Sequence, residues 1–339
     1  MKRWLIITLL AGGVAMLLAP SAGGSTRVSE FNWNSIRLLQ QNGDLHNWAS
    51  WVEGGLTRLG GVPGTGEIYY VDSGRAVEGD GTSWTQAKKT LNAALALTTA
   101  SRGDVILVAE GHAETISTAA LSPTVSKAGV SVFGLGHGTL APTFTVTHVD
   151  GTVDVNAPNT RLSNLRFVAN VDDTKVLLTL NAQAGGSIID NCVFRDTAAN
   201  KDYLVGIQVT TPNDVRVLHN CFKTTAEAGG NNAILSAANT GLEIIGNNIY
   251  GKFATGGILT SAPLVRAVIA DNIVVNAEAA IAIALNGTTS TGILARNLLG
   301  GTTSIAAALT GEDAMWCFEN YVTGEAGASG IIDPTVDAD

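Results

Sequence analysis

Apolar residues in this chain come in short bursts that alternate with polar positions, and the bursts recur down the sequence. An Asn followed by an apolar residue sits in each of "LSNLRF", "IDNCVF", "LHNCFK", "GNNIYG", "ADNIVV", "ARNLLG" and "FENYVT". Aligned on Asn164, Asn191, Asn220, Asn248, Asn272, Asn297 and Asn320, they are spaced by 27, 29, 28, 24, 25 and 23 residues. Self-similarity at this period is the mark of a repeat architecture. Each interval holds a further strand-like run, "VLLTLNA", "LVGIQVTT", "NAILSAA", "GGILTSA", "AAIAIAL" and "TSIAAAL", so a unit has at least two strands. Turns rich in Gly and Asn, such as "AQAGGS" and "EAGGNN", separate them.

A unit this short has no room for a crossover helix, which rules out an ordinary parallel sheet. Winding the chain into a solenoid resolves the conflict, with each strand pairing in parallel with its equivalents one coil away at about 4.8 Å. "DVILVAEG" (104–111) and "VSVFGLG" (130–136) read as two earlier coils. Ahead of them, "SWTQAKKTLNAALALTT" (83–99) puts Ala87, Leu91, Ala94, Leu95 and Thr98 on one helical face, with Ser83 at the N-cap position. A helix there is expected to cover the open end of the first coil.

The order "IYYVDSG", "GDGTSWTQAKKTLNAAL", "GDVILVAEG" and then Asn-marked coils, over residues 67 to about 325, resembles the right-handed parallel β-helix superfamily, pectate-lyase-like in fold. "RGDVILVAEGHAETI", "VSVFGLGHGTLAPTFT" and "FENYVTGEAGASGIIDP" resemble, more narrowly, β-helix proteins encoded among virion genes of tailed bacteriophages. The expected fold is an all-β solenoid: a right-handed parallel β-helix of about nine coils with an N-terminal capping α-helix. The expected division is 1–22, a signal peptide or hydrophobic anchor; 23–66, an aromatic-rich docking or capping segment; 67–326, the β-helix; and 327–339, an acidic tail.

Composition sharpens this reading. Charged residues are only 14% of the 339 and Gly numbers 39, a texture of turns and small stacked side chains. "MKRWLIITLLAGGVAMLLAPSAGGS" has the cations, apolar run and small-residue zone of a secretory signal, or alternatively of an uncleaved anchor. Loss of residues 1–22 leaves 18 cations against 29 anions, a net charge of −11. That acidity argues against nucleic acid and anionic lipid. Three cysteines make no disulfide framework.

Candidate chemistry divides into scaffold and site. Seven aligned Asn residues exceed what one active site needs, and stacked amides or left-handed turn residues explain them. Cys192 and Cys221 then fall at equivalent places in adjacent coils, as stacked core thiols or a disulfide. "GLGHG" (134–138) resembles the Gly-His-Gly of polygalacturonases, but the partner carboxylate motifs are missing, which leaves His137 without an acid–base set. Asp172, Asp173, Asp196 and Asp202, with Lys175 and Lys201, lie in loops of two adjacent coils and form the alternative glycan or Ca²⁺ candidates. In "GHAET", His112 and Glu114 read as a turn contact, and "EGDGTSW" as a Gly-rich turn. Trp33, Trp48 and Trp51, in "EFNWNSIRLLQQNGDLHNWASWVEGGL" (30–56), are docking or capping candidates.

The expectation drawn from these features is a non-catalytic structural or assembly protein, exported (secreted, extracellular) or virion-associated, such as a phage decoration, fibre or surface protein. It takes no cofactor or metal and no membrane partner once the signal is removed. Its partners are copies of itself, as a homo-oligomer such as the trimers common among phage β-helices, a larger assembly and a surface glycan. The rivals are a secreted polysaccharide lyase or glycosidase acting on acidic glycans and a subunit of an extracellular filament or surface layer.

Overall fold

The computed structural model describes residues 66–198, 200–225, 230–277, 281–285, 289–301, 309–310, 315–324 and 330–332. The chain divides into two compact units, Met1–Gly64 and Thr65–Asp339. All described residues belong to the second, so the expectations for 1–22, 23–66 and the three tryptophans lie outside them. No helix among the described residues is long and apolar enough to cross a membrane.

The second unit is a parallel β-solenoid. Three sheets run along it: a first of ten strands from Ile68–Val71 to Met315–Phe318, a second of ten from Ala113–Ile116 to Gly330–Ile332, and a third of eight from Thr124–Val125 to Leu309–Thr310. Each turn of chain contributes one strand to each sheet, three per repeat where the sequence revealed two. Among the described residues eight turns carry all three strands, with partial turns at the ends, close to the nine expected. Every pairing between turns is parallel except the last, where Gly330–Ile332 runs antiparallel to Asn320–Gly324. That strand occupies the stretch expected to be a tail.

Inward positions stack into columns because the side-chain period along a strand is two and the register between turns holds. On the first sheet Leu162, Ile189, Val217, Ile244, Ile269 and Leu294 follow one another, each fully buried. On the second, the rings of Phe144, Phe167, Phe194 and Phe222 stack with centroids 5.8, 5.0 and 4.7 Å apart. The separation falls to the strand spacing itself, so the rings pile face over face in the core.

The turn from first to second sheet corrects the expected Asn column. It is made by a single left-handed residue per coil: Asn164, Asn191, His219, Gly246, Asp271, Arg296 and Glu319, with φ between 54° and 67°. The next residue points inward. The buried ladder therefore consists of Asn220, Asn247, Asn272, Asn297 and Asn320, spaced by 27, 25, 25 and 23 residues. From Asn247 onward, each Oδ1 accepts from both the backbone N–H and the Nδ2 of the Asn one turn earlier, at 2.9–3.1 Å. Asn164 and Asn191 belong to the left-handed position and Asn248 to the exposed start of a strand, so these three are not rungs. The expected column thus combines three successive positions, one shaped by backbone sterics, one by buried amides and one at the outward start of a strand. Gly246 is the left-handed residue where a Cβ would meet His219 Nδ1 at 2.3 Å.

The same shift separates the thiols. Cys221 pairs with Val193, not with Cys192; Cys221 is exposed and Cys192 buried, and both are free. Cys192 takes the ladder position of its own turn: its backbone N–H donates to Asn220 Oδ1 at 2.9 Å. Its Sγ lies 3.7 Å from the Leu162 carbonyl, the place an Asn amide occupies elsewhere. Burial pushes this thiol up to about 12, so it is inert in the fold.

The predicted helical face is buried at all five positions, Ala87, Leu91, Ala94, Leu95 and Thr98. The α-helix, α1, covers only Leu91–Leu95. Residues before it are held extended, since Lys88 exchanges backbone hydrogen bonds with Tyr70 and Asp72. The N-cap is consequently Thr90, whose hydroxyl accepts from the Ala93 N–H, in place of Ser83. Asn92 bonds the Leu121 and Ser122 carbonyls and accepts from the Thr124 N–H, which satisfies backbone groups beside the first strand of the third sheet.

Candidate functional site

Connections from the second to the third sheet vary in length, and the expected acidic loops lie there. Asp172 and Asp173 close the connection before Thr174–Leu180, and Asp202 closes the next one before Tyr203–Val209. Thr174 pairs with Tyr203, so Asp173 and Asp202 occupy equivalent positions one turn apart. One carboxylate oxygen from each of Asp172, Asp173 and Asp202 lies within 4.8 Å of the other two. The Asp173 N–H donates to Asp202 Oδ1 at 3.1 Å. Asp202 is 1% exposed and its Oδ2 has no hydrogen-bond partner. Burial is the largest influence on its carboxyl and raises it above its ordinary value, with Asp173 and Asp172 adding repulsion against the Asp173 N–H.

The other groups of this candidate set point elsewhere. Asp196 is fully buried and accepts from the Thr225 N–H and hydroxyl at 2.6 and 2.7 Å. Lys175 Nζ reaches Asp150 Oδ1 at 2.5 Å, and Lys201 makes no ion pair with the three clustered aspartates. Lyase chemistry needs a basic side chain beside the acidic cluster. Among the described residues no Lys or Arg is paired with Asp172, Asp173 or Asp202.

His137 sits on an exposed turn ahead of a short 3₁₀ segment and makes no side-chain cap bond. It therefore lacks the oriented partner an acid–base group requires. His112 and Glu114 do meet. The imidazole Nδ1 accepts from the Ser73 N–H at 3.0 Å, and Nε2 faces Glu114 Oε2 at 3.3 Å. Glu114 Oε2 also accepts from the Leu91 N–H at 2.8 Å, at the start of α1. These groups brace the first turn against the helix, and a shallow recess of about 270 Å³ beside them is lined by Lys89, Thr90, Glu114 and Leu121. Asp80 in "EGDGTSW" closes a local turn by accepting from the Thr82 N–H and hydroxyl.

Two features went unrecognised in the sequence. Asp154 stands on the third sheet, opposite Thr179, where burial raises its carboxyl above the ordinary value and the Thr179 hydroxyl partly offsets this. Glycoside cleavage takes two carboxyl groups set for acid and base work, and Asp154 has no ion-paired partner among the described residues. The second feature is an apolar column on the outside of the second sheet. Ile273, Leu298 and Tyr321 stack in three consecutive turns and are 42%, 38% and 46% exposed, with Tyr250 at 55% beside them. "NIVV", "NLLG" and "NYVT" carry the signal, since the residue immediately after each of these ladder Asn residues faces outward and should be polar on a solvated strand.

No family model matches the chain, and no curated protein or solved structure matches it. The class is set by the fold alone: a parallel β-solenoid with an internal asparagine ladder.

Proposed function

We propose that this protein is a non-catalytic scaffold that self-associates through the outer face of its second sheet. The apolar column of Ile273, Leu298 and Tyr321 carries this reading, since contiguous exposed apolar surface on a regular face marks an interaction site. Ten strands at about 4.8 Å give a face about 43 Å long. With four-residue strands the width is about 13 Å, which is the order of surface a standard interface covers on each partner. A straight column along the solenoid axis complements the same column on a second copy. The sequence resemblance to virion β-helix proteins of tailed phages supports reading the scaffold as part of an exported or virion-associated assembly, as a fibre, decoration or surface-layer component.

Sedimentation of the full chain over a range of concentrations tests this. The wild type is expected to form a discrete oligomer and Ile273→Glu with Leu298→Glu to sediment as a monomer with unchanged circular dichroism. A wild type that stays monomeric at every concentration overturns the proposal. Turnover of uronate polymers that disappears in Asp173→Ala would replace it with the lyase reading.

A further inference from the structure

We infer that Asp172, Asp173 and Asp202 form a Ca²⁺ site that clamps the loops of two adjacent turns at the entrance to the third sheet. Three carboxylates offer oxygens within 4.8 Å of one another, and hard cations take such donors. An acidic cluster alone is commonplace on a surface, and the second observation is what separates this one. Asp202 is 1% exposed, one of its carboxylate oxygens lies within 4.8 Å of oxygens of the other two, and its Oδ2 has no hydrogen-bond partner. An anionic oxygen withdrawn from water and left without a donor costs free energy, and no Lys or Arg pairs with the cluster among the described residues. A bound cation supplies the missing partner.

The choice of ion follows from the donors. Mg²⁺ keeps most of its waters and takes one or two carboxylates, whereas Ca²⁺ accepts six to eight oxygens in a pliable geometry. Three carboxylates from two loops, completed by water, suit Ca²⁺. The ligands come from chain segments 29 residues apart, so binding ties one turn to the next. This site is independent of the self-association proposed above, because it lies at the third sheet and not on the outer face of the second.

The test uses the full chain, stripped with a chelator and dialysed, then titrated with CaCl₂ by calorimetry and thermal melting. The wild type is expected to bind one Ca²⁺ per chain with a dissociation constant on the order of 10⁻⁴–10⁻³ M and to melt at a higher temperature when loaded. Mg²⁺ is expected to bind about tenfold more weakly. Asp202→Asn should abolish the shift while melting no lower than the metal-free wild type, because it removes the repelled carboxylate. Asp172→Asn, at an exposed position that the fold does not need, should weaken binding about tenfold. Absence of saturable binding to the wild type up to about 10 mM Ca²⁺, or binding untouched by both substitutions, overturns the inference.

Discussion

Replacing Asn272 by Ala tests the register of the solenoid, because Asn248, the preceding Asn in the chain, supplies an internal control. Asn272 is fully buried. Its Oδ1 accepts from the Asn247 N–H at 2.9 Å and Asn247 Nδ2 at 3.0 Å, while its Nδ2 donates to the Ile244 carbonyl at 2.8 Å and to Asn297 Oδ1 at 2.9 Å. Asn247 Nδ2 keeps the Val217 carbonyl and Asn297 Oδ1 keeps the Asn272 N–H. The Asn247 N–H and the Ile244 carbonyl lose a partner in a place water does not reach. At about 1–3 kcal/mol for each buried group left unmade, the expected loss is about 3 kcal/mol. Asn248 is exposed at the start of its strand, so Asn248→Ala should cost no more than about 0.5 kcal/mol. Denaturant melts followed by circular dichroism give the difference, and amide exchange at the Asn247 N–H localises it, since long repeat arrays need not unfold in one step. Equal losses in the two variants, or a larger one in Asn248→Ala, would refute the ladder described here.

Four further outcomes follow from the register and the core. Cys192→Asn should extend the ladder by one turn and leave stability unchanged or raised by about 1 kcal/mol; a loss above about 2 kcal/mol in a denaturant melt contradicts the position assigned to Cys192. In the native protein a thiol reagent should label the exposed Cys221 and spare Cys192. Asp104, fully buried, is pushed up by burial but held below its ordinary value by the Arg102 guanidinium and the Thr99 and Glu67 N–H groups. Its contribution is thus present above the usual carboxylate range and lost as pH falls through the depressed value, and Asp104→Asn should cost about 3 kcal/mol at neutral pH. That cost should shrink in acid; a pH-independent difference in melting would count against the ion pair. Phe194→Ala removes a ring stacked between Phe167 and Phe222 and should cost about 3–5 kcal/mol, with loss of Phe222 packing visible by NMR.

Periodicity was the legible part. The recurrence of Asn with an apolar neighbour, and of short apolar runs between, implied a solenoid because no other parallel arrangement fits so short a unit. The helical face at Ala87, Leu91, Ala94, Leu95 and Thr98 was legible too, although the helix itself is shorter. The second-sheet strands Ala113–Ile116 and Thr143–Val146 were missed because "AETI" and "TFTV" carry no marker Asn.

What sequence by itself determined is the repeat, its approximate period and its strand-rich character, because hydrophobic spacing is a local property of the chain. Tertiary structure decided the register. Choosing between Asn247 and Asn248, or between Asn191 and Cys192, depends on which residue takes the left-handed turn, and this is settled by pairing with the turns on either side. A shift of one residue exchanges buried for exposed, which is why Cys192 and Cys221 part company and why Asp172, Asp173 and Asp202 meet while Asp196 turns to Thr225. The two kinds of position differ by a single peptide unit, and only contacts made a full turn away distinguish them.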